Sequence, residues 1–321
     1  MTGMNGASRE PGHEGEIAAS TPNEQLPKEG TPEQAGSPSR TRVISYMKTI
    51  LFTIFIALML KTFVIEAYRI PSGSMENTLF AGDFLFVNKF VYGLRTPRYV
   101  PLTNLAIPSV SLPAFRDVRR GDVIVFEFPG DRAEMSDPES LNYIKRCIGL
   151  PGDTVRIASG RVYVNGRELV PPSSAKVMHS GWSSRFERGL FPEGAGFSEE
   201  EYGPLVVPKK GDLIDIASGN LVGWKKFIEE EGHMVESDTT AIVRIDGVGM
   251  SSYRVERNYY FVLGDNRQNS LDSRYWGFVP DENLIGEALL IYWSWDPAAS
   301  TSSLSEKFKT VRWDRIGNLI R

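Results

Sequence analysis

The chain has 321 residues, 41% of them hydrophobic and 24% charged, with 36 Lys and Arg against 40 Asp and Glu. A formal net charge of -4 removes any global electrostatic case for nucleic acid, whose binders usually carry a basic excess. The single cysteine, Cys147, cannot close an intramolecular disulfide or build a multi-cysteine zinc site, and three histidines without an H-E-x-x-H pattern leave little for a metal centre or a Ser-His-Asp triad.

Residues 1–42 are rich in Gly, Pro, Ser, Thr and Glu and contain no Phe, Trp or Tyr. That composition offers too little apolar surface to offset the entropy of ordering it, so a disordered tail is expected. Residues 43–66 invert the pattern. An uncharged stretch from Thr49 to Leu60 is bracketed by Lys48 and Lys61, and Ile44 to Ile65 would form a helix of roughly 33 Å, enough to cross a bilayer core. A buried core helix is one competing reading and a cleavable leader is the other. Ile65-Glu66-Ala67 speaks against it, since a large branched residue stands where a small one is needed. Arg40, Arg42 and Lys48 lie on the amino side, and Arg69 is the one cation in the twenty residues after the span. The positive-inside rule then puts the tail in the cytoplasm and residues 67–321 outside.

The exterior part reads mainly as strand. Asp83–Asn88, Asp122–Phe128, Tyr259–Leu263 and Glu287–Trp293 are short, β-branched or aromatic, and bounded by turn formers. Asp153–Gly166 reads as a hairpin turning at Ser159-Gly160. Helix is expected near Leu221–Glu231 and over the basic tail at about 305–320. Residues 171–247 are less regular and look like a subdomain inserted between core segments 67–170 and 248–295. The fold class is therefore mainly β, a multi-sheet domain with an insertion, preceded by one N-terminal transmembrane helix.

Three stretches carry residues capable of chemistry. In Pro71-Ser-Gly-Ser-Met75, Ser72 and Ser74 flank a glycine; such serines are ordinarily turn residues. In Asn142-Tyr-Ile-Lys-Arg-Cys-Ile-Gly149, period two places Tyr143, Lys145 and Cys147 on one face and Ile144, Arg146 and Ile148 on the other. A strand lysine is usually a solvated edge charge, but if Lys145 is buried, desolvation supplies a neutral amine able to accept a proton. The third stretch, Gly264-Asp-Asn-Arg-Gln-Asn-Ser-Leu-Asp-Ser-Arg274, is a polar loop between apolar strands, with Asp272 and Arg274 placed to pair. Cys147 is a weaker nucleophile candidate, having no histidine nearby. Ser173-Ser-Ala-Lys176 fits the S-x-x-K spacing of penicillin-binding enzymes but follows Pro171-Pro172 and lacks the helix that motif needs.

Together the three stretches resemble bacterial type I signal peptidase, or leader peptidase, a membrane-anchored serine protease family with a serine/lysine dyad. The resemblance covers about 67–170 and 250–295. It implies Ser74 as nucleophile, Lys145 as general base, Ser72 as an oxyanion donor and Ser270 as the group orienting the lysine. Arg146, Asp265, Asp272 and Arg274 would be supporting ion pairs. It further implies cleavage of signal peptides from secretory preproteins after small-x-small sites, at the outer (periplasmic) face of the cytoplasmic membrane. Membrane lipid is then a partner, and no nucleic acid, metal or cofactor is expected. Asn77 departs from the family's usual proline and Gln268 from an acidic residue, which bears on the stiffness of one turn and on one ion pair. Residues 171–247 match nothing that carries over. Two rivals remain: an idle membrane-anchored β module that binds exported chains, and the self-cleaving repressor type of Ser/Lys peptidase, which needs a DNA-binding domain and no membrane span.

Overall fold

The computed structural model describes residues 40–93, 113–130, 142–176, 189–217, 221–237, 243–297 and 304–321. Most of the expected disordered tail, together with His13 and His179, lies outside the described residues. The chain divides into two compact units, 1–51 and 52–321. The first contributes the opening half of helix α1 (Arg40–Phe63), and the second holds its remainder and, among the described residues, the strands. Arg42–Lys61 is long and apolar enough to span a membrane, and none of it is buried by protein. The anchor expected over 43–66 thus runs a little earlier: the helix ends at Phe63, and Ile65 already opens a strand.

In chain order the strands are β1 (Ile65–Arg69), β2 (Asp83–Asn88), β3 (Val123–Glu127), β4 (Asn142–Gly149), β5 (Thr154–Ala158), β6 (Arg161–Val164), β7 (Arg167–Glu168), β8 (Tyr202–Val206) and β9 (Leu213–Asp215), then, after helix α2 (Leu221–Glu230), β10 (Val235–Ser237), β11 (Val243–Ile245), β12 (Val248–Gly249), β13 (Ser252–Arg254) and β14 (Tyr259–Leu263). The one-turn helix α3 (Ser273–Trp276), β15 (Val279–Pro280), β16 (Leu284–Ser294) and helix α4 (Leu304–Lys309) complete the order.

The main sheet runs β1-β2-β16-β3-β4-β14-β15. Its pairings are antiparallel, and those of β16 with β2 and β3 shift register, which increases the curl of the sheet. Period two splits β3 between two cores. Val123 and Val125 join Met75, Leu79, Leu85 and Ile291 on one face, while Ile124 and Phe126 join Tyr143, Cys147, Val262 and Trp276 on the other. A strand with apolar residues on both faces is buried on both, and the middle of this sheet is accordingly dry.

The hairpin of β5 and β6 turns where expected, with Ser159 and Gly160 at φ 48° and 74°. Its sheet, β7-β6-β5-β8, joins residues assigned to the first core segment with Tyr202–Val206 from the insertion. The insertion also reaches past 247, since β9 pairs with β13. One apolar cluster explains this: Val155, Ile157, Val162 and Val164 pack with Tyr202 and Leu205 and also with Phe261 of β14. The second subdomain therefore begins before residue 171 and is fused to the main sheet.

The basic helix expected at about 305–320 is helical only over Leu304–Lys309, followed by a 3-10 turn at Trp313–Arg315. Backbone pairing draws the rest out. Ile291 N donates to Asn318 O, Gly317 N to Ile291 O and Ile320 N to Leu289 O, so β16 claims the segment. Arg315 then reaches the fully buried Asp83, with Nη2–Oδ2 at 2.6 Å and Nε–Oδ1 at 3.1 Å. Replacing Arg315 by Met should cost about 3 kcal/mol or more, because a buried carboxylate is stripped of its main cation. Urea unfolding should show this as a lower midpoint, partly restored by the second change Asp83→Asn.

Candidate active site

Ser74 sits in a series of tight turns between β1 and β2. Glu76 N donates to Gly73 O, and Thr78 N and Leu79 N donate to Met75 O. Met75 and Leu79 are fully buried, so the residues flanking the serine are pinned by packing. The loop after β14 clasps the same turn. Asn266 N donates to Ser74 O at 3.0 Å, and Asn266 Nδ2 donates to Gly73 O at 3.1 Å and Glu76 Oε2 at 3.0 Å. Asn77 adopts φ 79°, a left-handed conformation that Asn tolerates and a proline ring forbids. The departure from proline is therefore a different turn and not merely a looser one.

Lys145 lies on β4, 4% exposed, with its Nζ donating to Ser74 Oγ at 2.8 Å and lying 5.4 Å from the Tyr143 ring centroid. Burial brings its pKa from 10.5 down to about 8, against the opposing pull of Asp272 and Asp265. Cys147, two residues along, is wholly buried in an apolar cluster, and burial pushes its thiol up and away from the reactive thiolate. His233 is held by carboxylates, with Nδ1 2.7 Å from Asp246 Oδ2 and Nε2 3.3 Å from Glu256 Oε1. A cleft of about 360 Å³ opens over Ser74 and Lys145, with Tyr68, Ile70, Val125, Ile144 and Leu271 among its walls. Ser72 lies on the same cleft and is exposed.

The four supporting residues form two ion pairs. Arg146 grips Asp265 bidentately at 2.8 and 2.6 Å, and Arg274 grips Asp272 at 2.8 and 3.0 Å. Burial works against the Asp272 charge, but Arg274, the Gly264 amide and the Ser270 hydroxyl outweigh it and hold the carboxyl below its usual range. Ser270 differs from expectation. Its hydroxyl is buried beside Asp272 without completing a well-formed hydrogen bond, and no bond joins it to Lys145 among the described residues.

Gly264 and Asn266 are contributors that sequence reasoning did not single out. A Cβ on Gly264 would fall 2.5 Å from Ser74 O and closer still to Ser270 Oγ, so only glycine lets the loop approach the serine this closely. The signal was present as the Gly-Asp-Asn run closing an apolar strand, but it names no contact. On the outer side, the β14 ladder covers Arg146–Gly149 of β4 and stops before Lys145, while β1 is an edge strand. Both features border the cleft and suit an extended peptide.

The family model for signal peptidase, peptidase S26, matches residues 43–293. The signal peptidase I of Pseudomonas aeruginosa is 35% identical over 278 residues, 80% of this chain and 75% of the relative. That of Aquifex aeolicus is 32% identical over 267 residues, 82% of this chain and 89% of the relative. A solved signal peptidase I from Enterococcus faecalis is 22% identical and covers 54% of this chain and 98% of its own, with a TM-score of 0.24.

The buried amine has a thermodynamic signature. Because the folded-state pKa of Lys145 lies below its unfolded value, the unfolded chain holds the extra proton between about pH 8 and 10.5. Burying the lysine therefore costs stability below pH 8, by at most about 3 kcal/mol, and that cost fades as pH rises to 10.5. Lys145→Met should be inactive yet more stable than the parent at pH 7. Thermal unfolding should show the advantage shrinking above pH 8.

Proposed function

The chain belongs to the signal peptidase family, peptidase S26, and on that premise we propose that it cuts signal peptides from exported preproteins with Ser74 as nucleophile and Lys145 as general base. The observation that carries the assignment is the 2.8 Å contact between a dry amine and the Ser74 hydroxyl. At pH 7 about a tenth of an amine with a pKa of about 8 is uncharged and can accept a proton, far more than for a solvated lysine. As Ser74 Oγ attacks the scissile carbonyl carbon, Lys145 Nζ takes the hydroxyl proton. The Ser74 amide and the Ser72 hydroxyl face the developing oxyanion. Collapse of the tetrahedral intermediate breaks the C–N bond, and the lysine ammonium returns its proton to the departing amine. Lys145 then draws a proton from water as the water oxygen attacks the acyl ester, and returns that proton to Ser74 Oγ as the acyl C–O bond breaks and the carboxyl product leaves. Ser270, buried beside Asp272, orients the lysine indirectly by fixing that side chain next to the amine.

The substrate lies extended along the cleft, adding to the β4 edge beside Lys145 with alternate side chains entering pockets. Shallow pockets at the -1 and -3 positions reject bulky residues by clash, which gives small-x-small selectivity. Helix α1 anchors the enzyme in the cytoplasmic membrane, with the amino terminus inside and the catalytic part on the periplasmic side, where translocated preproteins emerge.

Ser74→Ala and Lys145→Ala should each abolish cleavage of a model preprotein in detergent, and the double mutant should be no worse, since groups acting as one unit fail together. Additive losses would argue against a dyad; an active Ser74→Ala would remove the nucleophile from this assignment. His233→Ala should be nearly silent.

The pH dependence follows from the proton bookkeeping. Only the neutral amine is competent, so kcat/KM should climb about tenfold per pH unit below about 8 and level off above it. A profile flat from pH 6 to 9, with chemistry rate-limiting, contradicts a lysine base. A preprotein ending Ala-x-Ala should be cut, and the same substrate with Leu or Phe at -1 should resist. Protease treatment of sealed vesicles should show residues 67–321 on the periplasmic side.

A further inference from the structure

The S-x-x-K segment, Ser173–Lys176, takes no part in the chemistry above, yet its main chain lies alongside the loop that clasps Ser74. Lys176 N donates to Asp265 O at 2.9 Å and Arg267 N donates to Lys176 O at 3.3 Å, forming a parallel bridge with Asn266. Its side chains cross from that loop to the serine turn. Lys176 Nζ lies 3.0 Å from Glu76 Oε2, and Ser174 Oγ lies 2.7 Å from Thr78 Oγ1. The direction of the second bond is fixed by its neighbour. Thr78 Oγ1 donates its only proton to Asp265 Oδ2 at 2.6 Å, so Ser174 must donate to Thr78.

We infer that Ser174 and Lys176 are positioning residues that brace the turn carrying Ser74, acting through Thr78 and Glu76 respectively. Glu76 Oε2 takes Lys176 and Asn266 together, and Asn266 also holds Gly73 O, so the brace reaches the residue before the nucleophile as well as those after it. Thr78 is tied through Asp265 to Arg146, the neighbour of the lysine base. The two sides of the Ser74–Lys145 contact are thus joined by one line of hydrogen bonds, of which Ser174 is the outer end.

The exposure of the pair decides what kind of effect follows. The side chains of Glu76 and Lys176 are 37% and 45% exposed, and ion pairs of that sort contribute little to folding stability. Nucleophilic attack is far more sensitive, since a misplacement of about 1 Å can cost about a hundredfold in rate. The loss on cutting the brace should therefore appear in kcat, with the melting temperature and the Lys145 pH midpoint unmoved.

The inference rests on Ser74 as nucleophile, and the test separates the two. With the full chain in detergent and an Ala-x-Ala preprotein, wild type and Ser74→Ala establish whether Ser74 carries turnover. Ser174→Ala, Lys176→Met, Lys176→Glu, the pair Ser174→Ala with Lys176→Met, and the charge exchange Glu76→Lys with Lys176→Glu are then compared. The paired brace variant should lose about tenfold in kcat, with KM within about twofold. The charge exchange should recover much of what Lys176→Glu alone loses. Full activity in the paired variant, a loss that tracks a falling melting temperature, or an exchange no better than Lys176→Glu overturns the inference while leaving the dyad standing. Turnover by Ser74→Ala would instead overturn the nucleophile assignment.

Discussion

Keeping a lysine amine dry beside a serine hydroxyl is the constraint that organises this molecule. A solvated amine would stay charged at neutral pH, so the role proposed for Lys145 requires β4 to be covered on both faces. That is what the two cores on either side of the main sheet accomplish. Covering the lysine creates a second problem, because Asp265 and Asp272 lie close enough to pull its pKa back up. Each of those carboxylates is gripped bidentately by its own arginine. The two ion pairs put carboxylates beside the amine already matched by cations, and burial remains the larger influence on its basicity. They also shape the loop, since Asp272 holds the Gly264 amide and Asp265 holds Thr78.

Much of this was legible in the sequence, and the reasons differ by element. Strands such as Asp83–Asn88 and Tyr259–Leu263 were read at their observed bounds because the alternation and the flanking turn residues are local signals. Ser74 and Lys145 are each ordinary taken alone, a turn serine and a strand lysine, and it is their occurrence in order with the Gly264–Arg274 loop that singles them out. What failed was non-local. The hairpin of β5 and β6 joined the second subdomain because Tyr202 and Leu205 complete its core, a partnership no window of sequence contains. The basic tail stops being helical beyond Lys309 because β16 offers its backbone a better partner.

Close approach is the other thing a sequence conceals. Gly264 looked like punctuation at the end of a strand, yet the geometry makes it the point where the loop, Ser270 and the serine turn meet within contact distance. Ser270, which the resemblance implies orients the lysine, has its hydroxyl beside Asp272. Both cases turn on close contacts between distant parts of the chain, which residue type and spacing do not encode.

The clasp of Arg315 on Asp83 joins residues 232 positions apart, and Arg315 also donates to Thr78 O in the turn that follows the serine. Both it and Arg312, which donates to Ala81 O, lie beyond the residues matched by the family model. During synthesis the serine turn leaves the ribosome long before these arginines do. Throughout that interval the Asp83 carboxylate lacks its cations and the turn that follows Ser74 lacks these ties. Locking of the turn that carries Ser74 is thereby tied to the arrival of this distal segment, which makes it a late event in folding and not an early one.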